Sequence, residues 1–398
     1  MKYQRRFLPL LSVLLLLTSC ALPPPEETAA EGTEIIARCP VAGERETAPQ
    51  ALPSSGDLRG TDLRDLDLTD EAERLFAADF DTRTQWPEEL PEEFDPAQLL
   101  EWGKDPGLGL RELHQRGITG KGVGIAILDQ TLLTEHQEYG DRLRYYQEYH
   151  NAAQEPASAH GPAVASIALG KTVGVAPEAL LYYIADDNYR DEGSEFAVDL
   201  SYYAEDVDRF TALNETLPEE EKIRVLSISI GWTEETAGAE ALEAAIARAR
   251  AAGIAVVCVN SRDPLLEPWM GMGRRRRGSY NNRADFRPGV FWQELLYSGE
   301  FRGADGSLLL VPMDRRTAAS PAGAEEYVQF AEGGMSWAVP YVAGLYALAC
   351  QVKPEVTFAE FLAAAQATAN PISIWKDEDA EYPYGRVVDP AALLAALE

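Results

Sequence analysis

Strands and helices alternate along most of the chain, each marked by its own spacing of apolar positions. Gly122 to Leu128 ("GVGIAIL"), Arg224 to Ile230 ("RVLSISI") and Ile254 to Val259 ("IAVVCV") are short aliphatic runs with little polar interruption, which predicts strands buried on both faces. Between the last two, "AEALEAAIARARAAG" repeats apolar residues at helical spacing and stops at Gly253, predicting a helix. Thr357, followed three residues later by Glu360, predicts a capping box at the start of the helix "FLAAAQATA". This alternation from about Leu110 onward predicts an α/β domain around a mainly parallel sheet, its folded part beginning near Phe94.

Upstream the pattern is weaker. Ala21 to Ala51 is rich in Pro, Glu, Ala and Thr with few aromatics, and reads as a spacer. Asp57, Asp62 and Asp67, each followed by Leu, recur at intervals of five. They echo a pentapeptide repeat, but so few units cannot make a solenoid, and a short edge structure or turn is expected. The first residues carry Lys2, Arg5 and Arg6 and then an apolar run too short to span a bilayer, the pattern of a secretion signal. Its end, "LTSC" at Leu17 to Cys20, resembles the bacterial lipobox, which implies cleavage before a diacylglyceryl-modified Cys20. Two or three acyl chains, at ~0.8 kcal/mol per buried methylene, anchor stably where one does not. The expected organisation is a lipoprotein signal at 1–19, a lipid-anchored acidic spacer and leader at 20–93, and the folded domain at 94–398. The chain is then extracytoplasmic, held to the bacterial cell membrane by its lipid.

Composition narrows the partners. The 398 residues are 46% hydrophobic, ample for a buried core, and a formal net charge of -30 excludes nucleic acid or an anionic lipid surface as the main partner. The basic run Arg274 to Arg277 reads as a solvated loop rather than a recognition patch or cleavage site. Cys39, Cys258 and Cys350 fit neither a disulfide framework nor a zinc pattern, and the last two read as buried thiols. Asp186, Asp187 and Asp191 read as solvated charge rather than a calcium site, so no metal or cofactor is expected. Nothing points to an oligomer.

Three residues carry candidate chemistry. Asp129 ends an apolar strand, so its carboxylate emerges at the carboxyl edge of a parallel sheet, either as a catalytic group or as a turn cap. His160 precedes Gly161 and the small residues Ala163, Ala165 and Ser166, which suit a helix packed tightly on the sheet; alone it reads equally as a turn or satisfied core residue. Ser336, in "GGMSWAVPYVAG", stands at the head of an apolar helix, where a hydroxyl is either a nucleophile or a cap.

Read together, the three segments resemble those of the subtilisin-like serine peptidases, in the same Asp, His, Ser order. "GITGKGVGIAILDQ" is similar to the family's aspartate strand, "HGPAVASIALG" followed by "GVAP" to its histidine segment, and "GGMSWAVPYVAGLYAL" to its serine segment. "YGRVVDPAALLAAL" is similar to its closing turn and helix. The resemblance implies a three-layer α/β/α fold in which Asp129 orients His160, His160 takes the proton of Ser336, and Ser336 attacks a peptide carbonyl. It also implies that Ser229, Ile230 and Gly231, in "SISIGW", pair with an extended peptide or protein substrate. Trp232 stands where the family usually has glycine, and either narrows the cleft or packs into the core.

Departures fall around the triad. Gln130, Thr131 and Pro162 replace the usual neighbours of the aspartate and histidine, and Met335 and Trp337 replace the usual Thr and Met beside the serine. In place of the family's "AAGN" the chain reads "AAGIAVVCVNSRDP", so Asn260 arrives two residues early and Arg262 holds the ungapped position. Asn260 is the best side-chain candidate for the oxyanion donor, with Arg262 and the Ser336 N–H beside it. The altered segment leaves two readings, an endopeptidase and a catalytically weak relative that binds peptides or partners. A solute receptor for a transporter would share the lipobox but not the three ordered segments.

Overall fold

Five strands form a parallel sheet at the centre of the chain. They are β1 (Gly124–Asp129), β2 (Leu143–Glu148), β3 (Leu180–Ala185), β4 (Ile223–Gly231) and β5 (Ala255–Asn260), in the order β2-β3-β1-β4-β5. The computed structural model describes residues 49–150, 157–187, 189–191, 196–260, 269–276, 280–291, 293, 308–377 and 380–398.

Successive strand residues point to opposite faces, and both faces are covered. Ile125 and Ile127 of β1 join a core with Ala165 and Ala168 of α1 (His160–Leu169) and Val342 and Leu345 of α4 (Met335–Val352). Ala126 and Leu128 join a second core with Val207 and Phe210 of α2 (Ser201–Thr216) and Leu242 and Ile246 of α3 (Ala239–Ala251). The result is the expected three-layer α/β/α arrangement, and it explains why β1 shows no polar interruption before Asp129: every residue of the strand is buried. Cys258 and Cys350 are buried thiols, as expected.

The small residues of α1 and α4 let these helices approach closely. A Cβ on Gly344 would lie 2.6 Å from the Val175 Cβ and 2.8 Å from the Ala168 carbonyl. Among the described residues α4 is also the one helix long and apolar enough to cross a membrane, but 78% of it is buried inside the fold. The capping box is present: Thr357 N–H donates to Glu360 Oε2 (2.8 Å) and Glu360 N–H to Thr357 Oγ1 (3.2 Å).

Packed structure begins well before Phe94. Leu58, Leu63 and Leu68 are buried with Leu75, Phe76, Phe80 and Phe94 in a cluster of their own. The five-residue spacing is a series of turns: the carboxylates of Asp57, Asp62 and Asp67 accept the N–H two residues on, from Arg59, Arg64 and Thr69, at 3.1 to 3.2 Å. Phe80–Asp81 then pairs antiparallel with Tyr327–Phe330, whose other neighbour is Arg316–Ala319. The leader is therefore part of the packed body.

The basic run departs from expectation too. Arg274 ends the strand Trp269–Arg274 and is 6% exposed, its guanidinium 4.0 Å over the ring of Tyr280. Only Arg275 is exposed, and Arg276 pairs with Glu73 at 2.5 Å; Arg277 lies outside the described residues. Arginine stems bury readily against aromatic rings, so a run of arginines need not be a solvated face.

Candidate active site

Asp129, His160 and Ser229 to Gly231 lie at the carboxyl edge of the central sheet. Asp129 is buried, and its Oδ1 accepts from the Gln130 N–H at 2.8 Å and from His160 Nδ1 at 2.6 Å. His160 opens α1. The backbone there is held by a residue that the sequence reading passed over: Ser158 Oγ accepts from the N–H groups of His160 (3.2 Å) and Gly161 (3.0 Å), serving two donors that the helix leaves free. A hydroxyl two residues before the histidine was the available signal.

Gly161 has a steric reason. A Cβ there would fall 2.6 Å from the carbonyls of Gln130 and Thr131 and from the Tyr183 hydroxyl. Only a residue without a side chain lets α1 start this close to the loop after β1, and that approach brings the imidazole to Asp129. Burial works to lower the pKa of His160, but the Asp129 charge and its hydrogen bond outweigh it, so the value is raised above that of ordinary histidine.

Ser336 is the second residue of α4. Pro340, four residues on, has no N–H, so the Ser336 carbonyl loses its helical donor; the Ser229 hydroxyl takes that place at 3.3 Å. In return Ser336 Oγ donates to the Ser229 carbonyl at 3.3 Å. This reciprocal pair fastens the head of α4 to the end of β4. Among the described residues no hydrogen bond joins Ser336 Oγ to His160. The two segments meet instead through Trp337, whose ring centre lies 5.3 Å from that of His160 and 4.9 Å from that of Phe330.

The named pairing of β4 with β1 ends at Leu128 and Ile228, and its register to β5 slips between Ile228 and Gly231. Ser229, Ile230 and Gly231 thus extend past the last named pair with β1. Trp232 is 8% exposed, packs with the α2 and α3 core, and donates from Nε1 to Glu243 at 3.3 Å, which favours core packing over a narrowed cleft. Asn260 ends β5 opposite Gly231; its side chain, Arg262, Cys20 and Cys39 lie outside what is described.

Two carboxylates, half-buried Asp79 and fully buried Asp314, brace the approach to α4. Asp79, in the leader, accepts from the Ala331 N–H at 2.8 Å, and Asp314 from the Gly333 N–H at 2.9 Å. Burial pushes their pKa values up to about 7 and about 6. Asp186 is likewise fully buried, not solvated as expected. The side chain of Asp191 is outside the described set.

The fold and this cluster define an α/β protein with a histidine–carboxylate pair and a helix-head serine at one sheet edge. Residues 120–261 match the sequence family described as the Subtilase family. Over 93 residues the chain is 37% identical to the "Subtilisin-like protease PopC" of Myxococcus xanthus (strain DK1622), covering 21% of this chain and 19% of that relative's length. In fold it is similar to the solved structure titled "Structure of Prenylagaramide maturation protease PagA", with a TM-score of 0.50 and 18% identity over 73% of this chain and 98% of that one.

Proposed function

We propose that this chain is a subtilisin-type serine endopeptidase, working outside the cytoplasm and tethered through a lipid on Cys20. The observation that carries the reading is the 2.6 Å bond from His160 Nδ1 to buried Asp129, with the Ser336 segment packed against the same imidazole through Trp337. In this reading Asp129 fixes the tautomer that leaves Nε2 free to accept the Ser336 proton. Ser336 Oγ reaches it by turning away from the Ser229 carbonyl, and such bonds commonly tighten only when substrate arrives. The oxygen attacks a peptide carbonyl, the amine leaves with the proton from His160, and water releases the acyl group.

The Ser336 N–H lies in the first turn of α4, where backbone donors have no helical acceptor and the helix dipole favours negative charge. It serves as one oxyanion donor, with the Asn260 amide as the other. The end of β4, Ser229 to Gly231, supplies backbone groups for an extended peptide. The match to the Subtilase family over 120–261 supports the assignment of the aspartate and histidine segments.

A second reading, a weak or inactive relative that binds peptides, is favoured by the hydroxyl of Ser336 being engaged with Ser229 rather than His160. One experiment separates the two. A serine-directed fluorophosphonate is expected to label the wild type but not Ser336→Ala; a folded wild type that stays unlabelled overturns the peptidase reading. The tether is checked by mass spectrometry of the mature N-terminus, and an unmodified Cys20 or a different start removes it.

A further inference from the structure

Three side chains that the proposed reaction does not use converge one strand away from Asp129. Asp186 follows β3, its N–H donating to the Asp129 carbonyl at 3.0 Å. Asp206 lies in the first half of α2, and His150 follows β2 with a left-handed φ of 47°. One ligand atom from each lies within 4.8 Å of those of the other two. His150 Nδ1 is 2.7 Å from Asp186 Oδ2, and its ring stacks on Tyr202 with centres 3.7 Å apart. Both aspartates are fully buried, while the His150 side chain is 23% exposed and gives the cluster a way out to solvent.

The charges here do not close. Arg209 Nη1 lies 2.5 Å from Asp206 Oδ1, but that guanidinium also serves Glu205 at 3.2 Å and lies 3.9 Å over the ring of Tyr149. Asp206 Oδ2 is buried and no N–H or hydroxyl donor reaches it; the Asp186 carboxyl lies close enough to share a proton with Asp206, so the pair is completed by a proton or by a cation. A buried acceptor left without a donor is costly, and native folds keep one where a missing water, proton or ion completes it. We propose that His150, Asp186 and Asp206 bind one divalent transition-metal ion of the zinc type, with Asp206 Oδ2 among its ligands.

The donor set decides the class of ion. One imidazole nitrogen and two carboxylate oxygens suit zinc and its neighbours, which are content with four ligands and accept water as the last. Calcium asks for six to eight oxygens, which this cluster does not offer. The ion would clip the chain after β2 onto α2, beside the strand end next to Asp129. Its binding does not rest on the peptidase reading.

The test uses the full chain stripped with a chelator and titrated with Zn²⁺ by calorimetry and with Co²⁺ by visible absorption. One ion per chain, a Co²⁺ ligand-field band and a higher melting temperature are expected for the wild type. Loss of that site is expected in Asp206→Asn, and in His150→Gln, whose partly exposed position leaves the fold intact by circular dichroism. The proposal is overturned if the wild type takes up neither ion stoichiometrically, if either folded variant binds as the wild type does, or if Ca²⁺ binds in preference to Zn²⁺.

Discussion

His160 takes its charge balance from a single neighbour. Because Asp129 raises its pKa above the ordinary histidine value, the neutral form that can accept a proton appears only as pH climbs past that raised value. Activity is therefore expected to rise along an acid limb lying above the ordinary imidazole range. In Asp129→Asn the limb should move to lower pH while kcat falls by about 10⁴, since the tautomer is no longer fixed; an unchanged limb in a pH–rate profile would remove Asp129 from the role. The oxyanion side is tested at Asn260. Asn260→Ala is expected to lower kcat by about 10² to 10³ with little change in KM, and a rate within twofold of wild type excludes the amide as a donor.

At the scale of elements, two close approaches set the site. Gly161 lets α1 start against the carbonyls after β1, and Gly344 lets α4 lie on the segment that follows α1. Gly161→Ala is expected to cost about 1–3 kcal/mol in urea unfolding, because the atoms a Cβ meets are mostly backbone and cannot step aside. It should also reduce kcat, since the imidazole moves with the helix; unchanged values of both would refute the packing argument. The strands and helices around these glycines were legible in the sequence because one period marked each. Asp129 and His160 were legible from where they fall, a strand end and a helix start. The Ser158 support, the Trp337 contact and the reciprocal Ser229 and Ser336 bonds were not, since they join residues far apart through geometry that spacing does not encode. The buried Arg274 and Asp186 were misjudged for a related reason: charge alone says solvent, and only the fold supplies the tyrosine ring or the neighbouring carboxyl that changes the answer.

Across the whole molecule, the leader and the serine segment are joined. Leucines at intervals of five follow neither the helical nor the strand period, so their burial as a cluster went unseen upstream of Phe94. Asp79 carries the connection, and its folded pKa of about 7 lies above the ordinary 3.8. The folded state therefore holds more protons than the unfolded one between these values, and this group's contribution is present at low pH and lost as pH rises through about 7. Thermal melts across pH should show wild type losing ground to Asp79→Asn as pH rises, and parallel curves would count against the burial that raises the Asp79 carboxyl. The strand Phe80–Asp81 also lies along one side of Tyr327–Phe330. Without it that strand would offer bare N–H and C=O groups to any passing chain, an invitation to self-association. Shortening the protein from its N-terminal side is thus expected to yield a species that aggregates once the cut passes Phe80, although the polar, proline-rich stretch on that side looks the most dispensable part of the chain.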